Sequence, residues 1–178
     1  KDFSNDGKSS VVDGQQRIIT IWTLIKMLSI FLPDINSIQS SLYVVPWSGN
    51  TKLPKIDSKI FENSDDEAIK AVFMFDKEKL ESRYKSVASG GVISENKCET
   101  KVEYALLYFY QQFVVLQDES FNLADFAQFL MKRVTMLPIV QSAEGQEDAE
   151  NKALTIFETI NNRGMDLEDA DIFKARLY

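Results

Sequence analysis

The stretch Val11-Val12-Asp13-Gly14-Gln15-Gln16-Arg17-Ile18-Ile19-Thr20 decides how the 178-residue chain is read. Two β-branched residues, the end of a short strand, run into Asp-Gly. Two amides and an arginine follow, and then an apolar helix pattern. A plain strand-to-helix turn needs a glycine and a capping residue, not Gln-Gln-Arg as well. Backbone N–H groups at a helix start lack intrahelical acceptors and carry the positive end of the helix dipole, so they favour an anion. Gly14 lets a ligand approach the backbone. Arg17 offers a forked donor suited to phosphate or carboxylate, and Gln15 and Gln16 can donate and accept. Asp13 would repel a bare phosphate, which implies a Mg²⁺ bridge, a sugar hydroxyl contact, or a salt bridge that orients Arg17. The local physics leaves a second reading open: Asp13 caps the helix and Arg17 pairs with it at (i, i+4).

Outward from this stretch, Ile18 to Leu32 reads as a helix that is apolar almost all round. Only a narrow stripe of Thr20, Thr23, Lys26 and Ser29 interrupts it, and such a helix is expected inside a domain. Pro33 stops it. Ser40 to Trp47 reads as an edge strand, with Pro46 near its end, that pairs with Lys52 to Ile56. Ser64-Asp65-Asp66-Glu67 opens a helix to about Phe75, and Asp76 opens another through Tyr84. Ser86 to Ser94, with Gly90-Gly91, reads as a flexible linker or loop. A long helix is expected from Glu95 to Leu116. A shorter one is capped by Asn122 and carries Leu123, Phe126, Phe129 and Leu130 on one face. A strand-like run follows over Val134–Val140. A helix from Glu147 to Asn161 ends at a Gly164 turn, and a last helix covers Leu167 to Tyr178. Residues Lys1 to Ser10 read as loop. The pattern gives an α+β fold, predominantly helical, with a small sheet carrying the Asp-Gly-Gln-Gln-Arg loop packed against a helical region.

Composition narrows the chemistry. The net charge is −7, with 44% hydrophobic residues, one cysteine and no histidine. Histidine-based triads and histidine-ligated zinc are therefore excluded within this chain. Cys98 forms no internal disulfide and reads as incidental, in keeping with a reducing compartment. There is no Walker-type loop and no apolar run near the roughly 20 residues that span a membrane. Tyr104, Tyr108 and Tyr110 read as core residues, with base stacking as the alternative.

The Val-Asp-Gly-Gln-Gln-Arg motif before an apolar helix resembles the DGQQR motif of a large bacterial family. That family forms the N-terminal half of GmrSD-type modification-dependent restriction enzymes and occurs in other phage-defence proteins. A second block is similar to the same family: Ile156-Phe157-Glu158-Thr159-Ile160-Asn161-Asn162-Arg163-Gly164-Met165-Asp166-Leu167, then Ala170-Asp171-Ile172-Phe173-Lys174. The resemblance implies a fold of the ParB and sulfiredoxin group, in which a strand–loop–helix turn cradles nucleotide phosphates. It implies a cytoplasmic, NTP-binding and NTP-hydrolysing regulatory domain. In that picture Asp13, Gln15, Gln16 and Arg17 are catalytic, and Asp13 holds Mg²⁺. The nucleotide is bound by Gly14, Arg17, Thr20, Asn161, Arg163, Gly164 and Lys174. Asp171 and Lys174 share the apolar side of the last helix; they either pair at (i, i+3) or Lys174 faces the loop. DNA would be met through another domain or chain, including a nuclease partner domain.

In the family, strands precede the motif and a nuclease half often follows. Residues 1–178 are therefore expected to be a single domain and a fragment of a longer protein, with a subdivision near 86–94 as an option. Two other functions fit the residues: a ParB-like metal-dependent DNA nuclease, and a non-catalytic interaction module.

Overall fold

The computed structural model describes residue 11 and residues 13–47, 49–57, 64–117, 121–140 and 146–161; at 64, 65, 117, 146–150, 158, 160 and 161 it describes the backbone alone. The chain divides into two compact units, Lys1–Gln16 with Met136–Tyr178, and Arg17–Thr135. The described residues form seven α-helices and two small two-stranded sheets, so the fold is predominantly helical, as expected.

The first helix, α1, covers Gln15–Phe31 and begins three residues before the Ile18 start read from sequence. The last backbone bond at its end runs from Leu32 N to Leu28 O at 2.9 Å, and Pro33 then blocks continuation. Trp22, Met27 and Leu28 enter the core. The polar stripe is partly buried too: Thr20 is exposed, but Thr23, Lys26 and Ser29 are not. Thr23 Oγ1 donates to Ile19 O and Ser29 Oγ to Lys26 O, both at 2.7 Å, so neither hydroxyl is orphaned.

The expected strand from Ser40 is corrected at its start. Asn36–Leu42 forms a short helix, α2, because Ile38 and Leu42, one turn apart, both reach the core. Only Tyr43–Val44, β1, is strand. It pairs antiparallel with β2, Leu53–Pro54, in the register Tyr43 to Pro54 and Val44 to Leu53. The second sheet corrects the linker expected over Ser86–Ser94. Ala88–Ser89 (β3) and Val92–Ile93 (β4) form a tight antiparallel hairpin. Gly90 and Gly91 sit at φ 60° and 80°, the positive values that a two-residue type I′ turn demands at both positions. Ile93 N donates to Gln111 Oε1 at 2.9 Å and Tyr84 Oη to Gly91 O at 2.9 Å, which ties the hairpin down on both sides.

The sheet expected to carry the Asp13–Arg17 loop has no strand among the described residues. Val11 is unpaired with any strand, and both sheets lie elsewhere in the chain. Val12 and residues 1–10 lie outside the described residues.

Helix α3, Ser64–Phe73, begins where the acidic capping run predicts, and Lys70 pairs with Asp66 along it. Asp76 caps α4, Lys77–Val87, by accepting from Lys79 N at 2.8 Å. The single helix expected from Glu95 is corrected to a 3-10 turn, Glu95–Lys97, followed by α5, Lys101–Gln117. Thr100 Oγ1 accepts from Glu103 N at 3.1 Å and sets that start.

Helix α5 packs against α3 and β4, and Leu106, Leu107, Val72 and Ile69 close the centre of the core. Fully burying one such aliphatic side chain is worth about 1.5–3 kcal/mol. Tyr110 lies against Phe31 (5.8 Å) and edge-on to Tyr84 (5.0 Å), which supports the core reading of that tyrosine. In the same unit Glu103 is 5% exposed and accepts from Arg83 Nε at 2.6 Å, Arg83 Nη2 at 3.3 Å and Glu99 N at 2.6 Å. The bond to Glu103 raises the Arg83 pKa further above its ordinary value.

Asn122 caps α6, Leu123–Arg133, with its Oδ1 accepting from Ala124 N at 3.0 Å and Asp125 N at 3.3 Å. Phe129, expected on the buried face, is exposed, and Ala127 is buried instead. Val134–Val140 is not a strand. It has no regular structure and its apolar side chains are exposed, Leu137 to 92%. Helix α7, Gln146–Asn161, half-buries Ala153, Ile156 and Phe157. The Gly164 turn and the Leu167–Tyr178 helix lie outside the described residues. Among the described residues no helix is long and apolar enough to cross a membrane.

Candidate functional site

The early start of α1 changes the chemistry of the loop. Because the helix begins at Gln15, the four backbone N–H groups without an intrahelical acceptor are those of Gly14, Gln15, Gln16 and Arg17. The motif therefore coincides with the donor end of the helix. Gly14 has φ 87°, in the left-handed region, immediately before the first helical residue. A side chain there would be strained, so the sharp entry into α1 needs glycine.

The side chains divide into two groups. Gln15 is half-buried, and its Nε2 donates back to Val11 O at 2.7 Å, which fixes the segment that leads into the loop. Asp13, Gln16, Arg17 and Thr20 are exposed. Within the helix, spacings of three and four residues put Thr20 on the same side as Arg17 and Gln16, while Asp13 precedes the helix across Gly14. None of the four is without a partner. The exposed set combines one carboxylate, one guanidinium, one amide and one hydroxyl, next to four backbone donors. That set can hold a phosphate on the amides and Arg17, with a cation at Asp13.

The rest of the expected site is less visible. Asn161 is the last residue of α7 and is described by its backbone alone, while Arg163, Gly164 and Lys174 lie outside the described residues. The described residues contain no cluster of three or more metal-ligating side chains. Cys98 is half-buried with its Sγ 3.6 Å from Ser94 O, and burial, with the Glu103 carboxylate, pushes the thiol pKa up. A thiol so shifted is a poor nucleophile at neutral pH, in agreement with its reading as incidental.

One feature escaped the reading of the sequence. Lys26, read there only as one member of a narrow polar stripe, is 8% exposed and donates from Nζ to Phe75 O at 2.7 Å. It opens on a cleft of about 510 Å³. The available signal was a lysine in the middle of a helix otherwise apolar all round.

A family model for the N-terminal domain of GmrSD restriction endonucleases matches residues 1–178. No curated protein and no solved structure matches the chain. The family match covers both sequence blocks and the loop that heads α1, and the chain therefore belongs to the GmrSD restriction endonuclease N-terminal domain family.

Proposed function

We propose that this domain binds a nucleoside triphosphate at the Asp13–Arg17 loop. Binding or hydrolysis there regulates a modification-dependent, phage-defence restriction endonuclease whose DNA-cutting part lies in another domain or chain. The observation that carries the reading is Gly14 at φ 87° before α1, which presents the backbone donors of Gly14 to Arg17 beside exposed Asp13 and Arg17. In this reading the amides hold phosphate. Asp13 carries Mg²⁺, and Arg17 neutralises charge that develops on the transferred phosphoryl group. Gln16 orients the attacking water. Gln15, its Nε2 already bonded to Val11 O, positions the loop. Thr20 adds a hydroxyl one turn further on, and Asn161, Arg163, Gly164 and Lys174 of the second block complete the ligand contacts. The ParB-like strand–loop–helix cradle is part of this proposal, as is a bacterial cytoplasmic setting.

The test is thermal melting with ATP, GTP, CTP or UTP, with and without Mg²⁺, on the wild type and Arg17→Ala. A ligand that binds only the folded state stabilises by about 2.7 kcal/mol at a hundred times its dissociation constant. A nucleotide-specific rise in Tm that disappears in Arg17→Ala is the expected result. An equal rise in both proteins, or none with any nucleotide, would remove the loop from nucleotide binding. The exposed apolar run Val134, Met136, Leu137, Ile139 and Val140 favours the second reading, a non-catalytic interaction module. On that reading Asp13→Ala and Arg17→Ala lower Tm, and nucleotide changes nothing.

A further inference from the structure

Within the Arg17–Thr135 unit, the second half of α1, the start of α4 and the β1–β2 pair border an open cleft of about 510 Å³. That volume falls within the range of small-molecule sites. Three ammonium groups line it, from Lys26, Lys52 and Lys77, against one carboxylate, Asp76. Three positive charges less one negative leave the lining at +2, in a chain whose net charge is −7. The reversal of sign is local.

The charges are also poorly compensated. Among the described residues, no carboxylate lies within ion-pair distance of any of the three lysines. Lys26 Nζ makes one hydrogen bond, to Phe75 O, and an ammonium has three donors. Its Nζ also stands 5.6 Å from the Phe73 ring centroid. Lys52 Nζ stands 4.3 Å from the Tyr43 ring centroid and Lys77 Nζ 5.7 Å from that of Phe31. Aromatic faces hold these two cations over the cleft without neutralising them. The Asp76 carboxylate is engaged in capping α4 through Lys79 N. Burial lowers the Lys26 pKa to about 8, with Asp76 opposing the shift, so the group still carries its charge at neutral pH. A buried cation short of acceptors is costly unless something anionic joins it.

We infer that this cleft is a binding site for a small phosphate-bearing polyanion, held by Lys26 at its floor and by Lys52 and Lys77 at its rim. Ammonium groups serve such a ligand as point charges, and two or more negative charges on it match the +2 lining. The site is separate from the loop. Lys26 lies nine residues along α1 from Arg17, roughly 14 Å at 1.5 Å per residue. A ligand here would touch α1, α4 and the β1–β2 pair at once, and would stabilise their arrangement.

The probe is inorganic pyrophosphate without divalent metal, titrated calorimetrically into the 178-residue chain, with sodium chloride matched for ionic strength as the control. The proteins are the wild type, Lys26→Met, the double variant Lys52→Gln/Lys77→Gln, and Arg17→Ala. Saturable binding is expected in the wild type and unchanged in Arg17→Ala. It should weaken by about tenfold or more in the double variant, the effect of losing bonds to charged groups. Lys26→Met should weaken it as well. Should that variant fail to fold, the double variant decides alone, because its two positions are exposed. Absence of saturable heat in the wild type would overturn the proposal. So would binding that persists in the double variant or vanishes in Arg17→Ala, the latter assigning pyrophosphate to the loop. Loss of nucleotide binding at the loop leaves these outcomes unaffected, so the two sites are judged separately.

Discussion

At Lys26 a single side chain sets a pH dependence. The folded chain lowers its pKa from 10.5 to about 8, chiefly by burial, with the Asp76 carboxylate working against the shift. Below about pH 8 both folded and unfolded chains are protonated at this position, and the folded state bears the full cost of an ammonium in a nearly dry place. Between about pH 8 and 10.5 the folded state releases the proton while the unfolded state keeps it. The unfolded chain then binds more protons, so stability rises with pH across that window. The full difference is on the order of 3 kcal/mol. Tyr43, Lys52 and Lys77 line the same cleft, so the clean readout is the difference between wild type and Lys26→Met by denaturant titration at each pH. The Met variant should gain most relative to wild type below pH 8 and lose that advantage towards pH 10.5. A difference that stays flat across the window would refute the assignment. The sequence showed that Lys26 interrupts an apolar helix. It could not show that the interruption faces inward, because that depends on the Phe75 carbonyl, 49 residues away. Gly14 and Arg17 were easier to read, since their geometry is set by the first turn of the helix they head.

At the scale of elements, local chemistry was legible and short-range geometry less so. The caps at Asp76 and Asn122 form as their residue types predict. Thr100 and Glu103 also carry a capping pattern, and reading it would have moved the start of α5 from Glu95 to Lys101. Helix α2 was missed because Ile38 and Leu42 are its only apolar residues and the other five of its seven positions are small or polar, Asn36, Ser37, Gln39, Ser40 and Ser41. Gly90-Gly91 signals either a loop or a tight turn, and only the pairing of Ala88 with Ile93 selects the turn. The hairpin gives a direct test. A Cβ at Gly91 would meet nothing within 4 Å, so the strain of Gly91→Ala comes from the φ of 80° alone. It should cost about 1–2 kcal/mol of stability. Gly91→Asn should cost less, because asparagine tolerates the left-handed region. Equal losses for the two variants in urea unfolding would mean that the turn does not hold this conformation in solution.

On the scale of the whole chain, the buried apolar residues are unevenly distributed. Those in the described structure run from Trp22 to Ala127, all within the Arg17–Thr135 unit. The run Val134–Val140 then leaves its apolar side chains in solvent. The strand read there from its β-branched residues did not form, since a strand needs a partner and Pro138 removes a donor. A segment carrying its own core should fold by itself. A fragment spanning 15–135 is therefore expected to unfold in one cooperative transition and to keep the near-ultraviolet dichroism of its packed aromatics, such as Phe31 with Phe113 at 4.9 Å. Cutting at Thr135 removes no buried apolar residue of that core. The unfolding slope in urea scales with the surface exposed, so it should be that of a chain of about 120 residues with a full core. A fragment with a shallow slope, no near-ultraviolet signal and retained helix would instead place the remaining residues among the requirements for packing. The same fragment keeps Lys26, Lys52 and Lys77 but lacks Asp13 and the second block. If it folds, it should bind pyrophosphate as the full chain does and give no nucleotide-specific rise in Tm.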